Sequence, residues 1–223
     1  MPVAWIRRLR KGIWMDMKRI SRTVLGVLLT ALMMTGCGEA RVPDTIDKPM
    51  IAIAKNGTVT EYLVGEFSAK TYYSISGLSS MAAAEAAEYN TANQTGSVVP
   101  VKLEKVEALE DGTGRVCIVY QYDSAESYTG FNEGSLFYGT VGEAISQGYS
   151  FDAGLQGVSD AEGQTFTAEQ LKQATDRRLI IAPQGVYVYC PGKVDYISGA
   201  ASMAEDGSVD TTAADCPVYI LLK

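Results

Sequence analysis

The sequence predicts an α+β domain in which short helices pack on a mainly antiparallel sheet. An Asn-Gly pair, Asn56-Gly57, separates two apolar runs, and this arrangement is a strong local signal for a β-hairpin. Two Thr-x-x-Glu/Gln capping boxes begin short helices in the second half of the chain. Strands with interspersed short helices lack the regular alternation of a parallel βαβ sheet. We therefore predict one domain over residues 50–223.

The first elements are two hairpins separated by a helix. The first hairpin pairs residues 51–54 with 58–64, and the second pairs 99–109 with 115–122. The helix between them, 76–90, carries apolar residues at spacings of three and four on one face, from Leu78 to Tyr89. Residues 115–122 are apolar on both faces, which predicts a central strand. Cys117 in that strand is expected to be a buried free thiol.

Short helices dominate the middle of the chain. Ser124 is predicted to cap a helix that ends near residue 131, and a strand follows over 135–139. Thr140 and Glu143 form the first capping box, and this helix ends near Gly148. Thr167 and Gln170 form the second box, at the start of a helix over 168–174.

The last part of the chain is rich in predicted strands, at 178–182, 186–190, 194–198 and 218–222. A polar connection, 199–215, contains a predicted turn at Asp206-Gly207. Cys190 ends one strand and Cys216 precedes another. Antiparallel pairing of those two strands would bring the thiols together, so we predict a Cys190–Cys216 disulfide, with free thiols as the alternative. Disulfides are compatible with an exported domain.

An export signal precedes this domain. Lys18, Arg19 and Arg22 stand before the apolar run 24–34, and the small residues Thr35 and Gly36 precede Cys37. The run is much shorter than the roughly 20 apolar residues that a transmembrane helix needs. Residues 1–36 are therefore predicted to be a signal peptide, with a buried apolar helix as the alternative. Met17 is the more ordinary start, so residues 1–16 are predicted to lie upstream of the true start, unless the basic region is unusually long.

Residues 34–37, Met-Thr-Gly-Cys, resemble the lipobox of bacterial lipoproteins, with Met34 where Leu is commoner. The resemblance implies diacylglycerol on the Cys37 sulfur, cleavage before Cys37 and acylation of the new amine, for example with palmitate. Residues 37–49 are then a lipidated tether. The domain would face the extracytoplasmic side of the cell membrane, anchored to it by lipid.

A second resemblance is to a group of uncharacterised lipoproteins from Gram-positive gut anaerobes. It covers the region from about residue 50 to 150. The matching stretches are Thr71-Tyr72-Tyr73, Glu88-Tyr89-Asn90, 122–128, Phe131-Asn132 and 136–144. This resemblance implies an envelope location and no particular chemistry.

Composition excludes several functions. The chain has 223 residues and a net charge of −7, and removal of residues 1–36 leaves 12 basic and 25 acidic residues. Such an acidic surface repels nucleic acid, so no nucleic-acid partner is expected. The chain has no histidine, which excludes Ser-His-Asp chemistry and His-based zinc sites. No cofactor and no metal is expected.

The residues that could carry chemistry each have a simpler role. A carboxylate pair from the set Glu126, Glu133, Glu143 and Asp152 could hydrolyse glycosides. Glu143 already belongs to a capping box, and Glu126 suits the first turn of a helix. The oxygen-rich turns 160–163 and 206–210 could bind calcium, but neither has EF-hand spacing. Tyrosines could line a sugar or peptide site, or simply fill the core. Those considered are Tyr72, Tyr73, Tyr120, Tyr122, Tyr128, Tyr138, Tyr149, Tyr187 and Tyr189.

The sequence thus favours a non-enzymatic envelope lipoprotein that binds an envelope protein or a cell-wall component. The alternative is a cell-envelope hydrolase that uses carboxylates. A transporter's solute-binding component, with two α/β lobes, is a poor match to 187 residues without a βαβ pattern.

Overall fold

Two mostly antiparallel sheets and four helices make up the part of the chain that the structure, a computed structural model, describes: residues 42–67, 74–112, 114–132 and 134–223. The predicted α+β class is confirmed. The strands are β1 Met50–Ile53, β2 Val59–Glu66, β3 Val101–Ala108, β4 Arg115–Tyr122, β5 Phe137–Thr140, β6 Leu155–Gly157, β7 Thr165–Phe166, β8 Arg178–Ala182, β9 Tyr187–Tyr189, β10 Val194–Ile197, β11 Ser202–Met203, β12 Val209–Asp210 and β13 Val218–Leu222. The helices are α1 Ile75–Asn93, α2 Ala125–Asn132, α3 Val141–Ser146 and α4 Ala168–Gln173, and a 3₁₀ turn spans Ser159–Ala161.

The first sheet has seven strands in the order β11-β12-β9-β1-β2-β4-β3. Its β1–β2 hairpin turns at Asn56-Gly57 as predicted, with Gly57 at a φ of 91° that favours glycine. Strand β4 lies between β2 and β3, which confirms the predicted central strand. Strand β1 also pairs in parallel with β9, Met50 opposite Tyr187. This pairing joins segments far apart in sequence.

Helices α1 and α2 cover one face of the first sheet. Leu78, Ala82 and Ala86 are the buried residues of α1, and the Tyr120 hydroxyl donates to the Ala82 carbonyl over 3.3 Å. Ser124 caps α2 as predicted, because its Oγ accepts the Ser127 amide at 3.1 Å. The small side chains of α1 allow it to approach the sheet closely.

The second sheet has six strands in the order β5-β8-β13-β10-β6-β7. Both predicted capping boxes begin helices beside it: the Glu143 amide donates to Thr140 Oγ1 at 3.2 Å, and the Gln170 amide donates to Thr167 Oγ1 at 3.2 Å. The buried core here is entirely apolar: Phe137, Val141, Ala144, Phe151, Leu155, Leu171, Leu179, Ile181 and Leu221.

Residues 42–49, the second part of the predicted tether, pack against the other face of the first sheet. Val42 and Ile46 lie on a cluster that includes Met50, Ala52 and Tyr189. The Asp47 carbonyl accepts a hydrogen bond from Arg115 Nη1 at 2.7 Å, and Lys48 Nζ lies 2.8 Å from Asp206 Oδ2. Residues 37–41 lie outside the described residues. Only those five residues therefore separate the predicted lipid from the packed chain.

Four short strands, β6, β7, β11 and β12, do not appear in the sequence prediction. The connection 199–215, predicted to be a polar loop, contains β11 and β12, which pair on either side of Gly207. Two or three residues carry too little periodic signal to reveal a strand. These strands are defined by the partner beside them rather than by their own sequence.

The strand pairing behind the predicted disulfide is absent. Strand β9, next to Cys190, belongs to the first sheet, whereas β13, next to Cys216, belongs to the second. Cys190 is half-buried, Cys216 is exposed, and both are free thiols. Cys117 is buried and free, as expected. The Cys190–Cys216 bridge stays a prediction without the structural argument that led to it.

The predicted signal peptide, with Cys37, lies outside the described residues. Within the described part of the chain, no helix is both long and apolar enough to cross a membrane.

Candidate functional site

The most unusual side chain in the described structure is Glu61, a carboxylate buried on the helix-covered face of the first sheet. Only 5 % of Glu61 is exposed. Alternation along β2 places it on the same face as Val59, which is fully buried. Its neighbours across the sheet are Ile51 in β1 and Tyr120 in β4. Glu61 therefore occupies a core position.

Hydrogen-bond donors from β4 and α2 surround the Glu61 carboxylate. The Tyr122 hydroxyl donates to Oε2 at 2.5 Å, and Asn132 Nδ2 donates to the same oxygen at 3.2 Å. Asn132 Nδ2 also lies 3.0 Å from the Tyr122 hydroxyl oxygen, and Tyr128 provides a further side-chain hydrogen bond to Glu61. A buried carboxylate without donors would be costly, so these contacts hold α2 to the sheet.

Aromatic rings form the wall around this polar centre. Tyr122 and Tyr128 meet edge to face with 5.2 Å between ring centroids. Phe131 lies 5.2 Å from Tyr120 and 5.4 Å from Tyr89, so α1, α2 and β4 meet at one ring. Such contacts between aromatic rings stabilise packing beyond the burial of area. We call Glu61, Tyr122, Tyr128 and Asn132 the Glu61 network.

Burial raises the pKa of Glu61 to about 7, although the hydrogen bonds from Tyr122, Asn132 and Tyr128 oppose this rise. The hydrogen-bond donors that the described structure places on Glu61 are all uncharged. Burial, with the neighbouring Glu61 charge, also raises the pKa of Tyr122 and of Tyr128 well above the usual phenol range. The phenols thus stay protonated, and Glu61 is the group in this network that exchanges a proton near neutral pH.

A second feature is an open cleft of about 520 Å³ at the end of the first sheet. Segment 42–49 forms one wall, and the end of β3 with the β3–β4 turn forms the other. Its lining residues are Asp44, Thr45, Ile46, Asp47, Glu107, Ala108, Leu109, Glu110, Asp111 and Arg115. We call this the acidic cleft, because it has five carboxylates and one guanidinium group.

Arg115 holds the walls of the acidic cleft together. Its Nε and Nη2 bond to Asp111 Oδ2 at 3.1 and 2.5 Å, and its Nη1 bonds to the Asp47 carbonyl. The charge of Arg115 is thus directed at Asp111. The excess of carboxylates in the cleft favours a cationic or strongly polar occupant.

Of the carboxylates predicted as a catalytic pair, the three that the structure describes do not line this cleft. Glu143 is exposed and its Oε2 accepts the Thr140 amide at 2.6 Å, while Asp152 is exposed and accepts a bond from Ser150. Glu126 is an exposed residue in the first turn of α2. Glu133 lies outside the described residues.

The turns considered for calcium have other partners. Asp206 accepts hydrogen bonds from Lys48, Tyr189 and Ser208. Although burial opposes it, these bonds lower the pKa of the Asp206 carboxyl far below its usual range. Asp160 pairs with Lys193 and Lys223. In the part of the chain that the structure describes, no group of three or more ligating side chains is placed to hold a metal ion.

The candidate tyrosines are distributed over separate places. Tyr120, Tyr122 and Tyr128 are buried around Glu61. Tyr187 and Tyr189 lie under segment 42–49. Tyr149 packs on Phe137, Tyr138 lies beneath Arg178, and Tyr72 and Tyr73 lie outside the described residues.

Comparisons with protein-family models, with curated proteins and with solved structures found no match to this chain. The site must therefore be interpreted from its own residues. Sequence reasoning missed Glu61, although its alternation with Val59 and Leu63 marks a core position. It also missed the acidic cleft, whose walls come from residues at least 60 positions apart.

Proposed function

We propose that this chain is a lipoprotein, anchored through Cys37 to the outer face of the cytoplasmic membrane, with a non-enzymatic binding domain. The observation that supports binding best is the acidic cleft, an open concave surface with an excess of negative charge. Anionic ligands such as nucleic acid are repelled by such a surface. The partner we propose is a basic segment of an envelope protein or a cationic group of a cell-wall polymer.

Metabolic labelling tests the anchor. Cells that express the full chain are grown with labelled palmitate, beside a Cys37→Ser variant and a Cys216→Ser control. We expect label in the native chain and the control and none in Cys37→Ser. Equal labelling of all three chains would contradict the lipoprotein proposal.

In-cell photocrosslinking tests the cleft. A photoreactive amino acid replaces Glu110 at the cleft, or the exposed Glu162 as a matched control. We expect a specific adduct from position 110 only, and a weaker one when Glu107→Gln and Asp44→Asn remove two of the carboxylates of the cleft. Identical adducts from both positions, or an adduct unchanged by these two substitutions, would contradict binding in the cleft.

The alternative function, a carboxylate-dependent hydrolase, draws support from the same cleft. Several carboxylates share one concave surface there, although not the pair expected from the sequence. The carboxyl with the raised pKa, Glu61, lies outside the cleft and is closed to solvent. Release of reducing sugar from cell-wall polymer by the native protein, abolished in Asp47→Asn or Glu107→Gln, would favour the hydrolase.

A further inference from the structure

We infer that the edge of the first sheet formed by residues 42–49 and the β3–β4 turn faces the lipid headgroup layer and lies within about 18 Å of it, so that the acidic cleft opens toward the membrane surface. This inference rests on the proposed lipidation of Cys37. It goes beyond that proposal because it assigns an orientation to the domain and a lipid surface to one edge of it.

The length of chain before the packed segment is the first step. Val42 is half-buried on the Met50, Ala52 and Tyr189 cluster. Five peptide units separate it from Cys37, and they reach at most about 18 Å when fully extended. Lys48 and the Asp47 carbonyl hold the following residues to Asp206 and Arg115. The bilayer anchor and this edge therefore cannot separate by more than this short distance.

The direction of the strands is the second step. Met50 begins β1 beside segment 42–49, and the strand runs away from it to the Asn56-Gly57 turn. In β3, Ala108 lies at the cleft and Val101 lies at the opposite end. Eight residues of strand separate those ends by more than about 20 Å. The far end of the sheet thus lies more than about 20 Å from the segment where the tether packs, whereas the tether reaches at most about 18 Å.

The surface chemistry of the edge is the third step. The exposed large apolar side chains among the described residues are Val98, Val99 and Ile145, and none of them lines the cleft. The cleft instead presents carboxylates, which remain hydrated, do not enter the hydrocarbon and do not attract anionic headgroups. The tether, and not insertion of apolar side chains, then sets the orientation. A longer tether should release it.

Energy transfer from two labelled positions tests the orientation. Single cysteines replace Glu110 at the cleft edge or Lys55 beside the far turn, both exposed, in a Cys190→Ser/Cys216→Ser background that retains buried Cys117. Each protein is purified with its lipid, labelled with a donor dye and reconstituted into phosphatidylcholine vesicles that carry an acceptor on the headgroups. We expect a several-fold higher transfer rate from position 110 than from position 55.

A tether variant provides the control. About 20 Gly/Ser residues inserted after Arg41 add a flexible span of roughly 25 Å, which should bring the two positions to similar transfer rates. Equal rates with the native tether, in protein that floats with the vesicles, would overturn the orientation and leave the anchor intact. Protein that does not float would overturn the anchor, and the orientation with it.

Discussion

The two sheets bury their helix-covered faces with different chemistry. At the first sheet, an ionisable carboxyl of β2 meets three hydrogen-bond donors and several aromatic rings that β4, α1 and α2 contribute. The second has a core of aliphatic and Phe side chains with no ionisable group among its fully buried residues. Equivalent secondary structure therefore produces one region whose buried core contains a titrating group and one whose buried core contains none.

The largest effect is expected in the apolar core. Leu221 is fully buried in β13, and Leu221→Ala should lower the free energy of unfolding by about 2–5 kcal/mol, because it removes buried methyl groups and leaves a cavity. Chemical denaturation at pH 5 and pH 8 measures it. The loss should be the same at both pH values, and a pH-dependent loss would break the contrast between the sheets.

Glu61→Gln should remove a pH dependence of the free energy of unfolding that the second sheet's core does not contribute. The raised pKa means that the folded state holds the proton more tightly than the unfolded chain does. The stabilising effect of protonated Glu61 is therefore complete below pH 4.5 and is lost as the pH rises through about 7. From pH 4.5 to 8 the stability of the variant relative to the native protein should rise by about 3 kcal/mol. Denaturation across this range measures the change, with the exposed Glu169→Gln as the control. A flat difference would contradict the assignment.

Tyr122→Phe should have a smaller effect. It removes the 2.5 Å hydrogen bond to Glu61 and leaves the ring contacts in place. We expect a loss of about 1–3 kcal/mol, larger at pH 8 than at pH 5, because an ionised acceptor needs its donor more than a neutral one. Tyr196→Phe, which removes a hydroxyl near the second sheet, is the matched control. Equal losses in both variants would indicate that Glu61 has no special role.

The smallest effect is expected at the Lys48–Asp206 ion pair, which holds segment 42–49 to the sheet. Lys48→Met removes a partly exposed ion pair with Asp206 and should cost about 0–1 kcal/mol, less at high salt. Proteolysis between residues 42 and 49 should become faster while global stability barely changes. Lys55→Met, which lies outside segment 42–49, should change neither the rate of proteolysis nor the global stability. A large loss in the free energy of unfolding of Lys48→Met would contradict this prediction and would show that segment 42–49 is part of the cooperative core.

Local signals predicted the elements that carry them. The Asn56-Gly57 turn, the caps at Thr140 and Thr167, and the two-faced strand β4 each depend on a few neighbouring residues, and each is present. The division into two sheets and the parallel β1–β9 pair depend on which distant strands meet. Alternation of apolar and polar residues shows which face of a strand is buried, but not which strand lies beside it. The sequence therefore could not show that the strands form two sheets, or that β9 and β13 belong to different ones.

In the candidate site, too, the features that depend on neighbouring residues were predictable, and those that depend on distant contacts were not. Glu61 could have been found from its phase in β2, but its donors come from β4 and α2, and their convergence needs the three-dimensional register. The acidic cleft needs segment 42–49 to pack, and the sequence prediction assigned that segment to the lipidated tether instead. Val42 and Ile46 are the apolar residues that bring it back to the sheet.

The parallel pairing of β1 with β9 has a kinetic consequence. Ile51 opposes Val188, so β1 acquires its second neighbour only after nearly all of the chain has emerged from the ribosome. Sheets that depend on such distant contacts fold in milliseconds to seconds, far more slowly than helical bundles. The first sheet therefore completes its pairing late in synthesis, and this late completion suits the export that we propose, because an export channel passes unfolded chains.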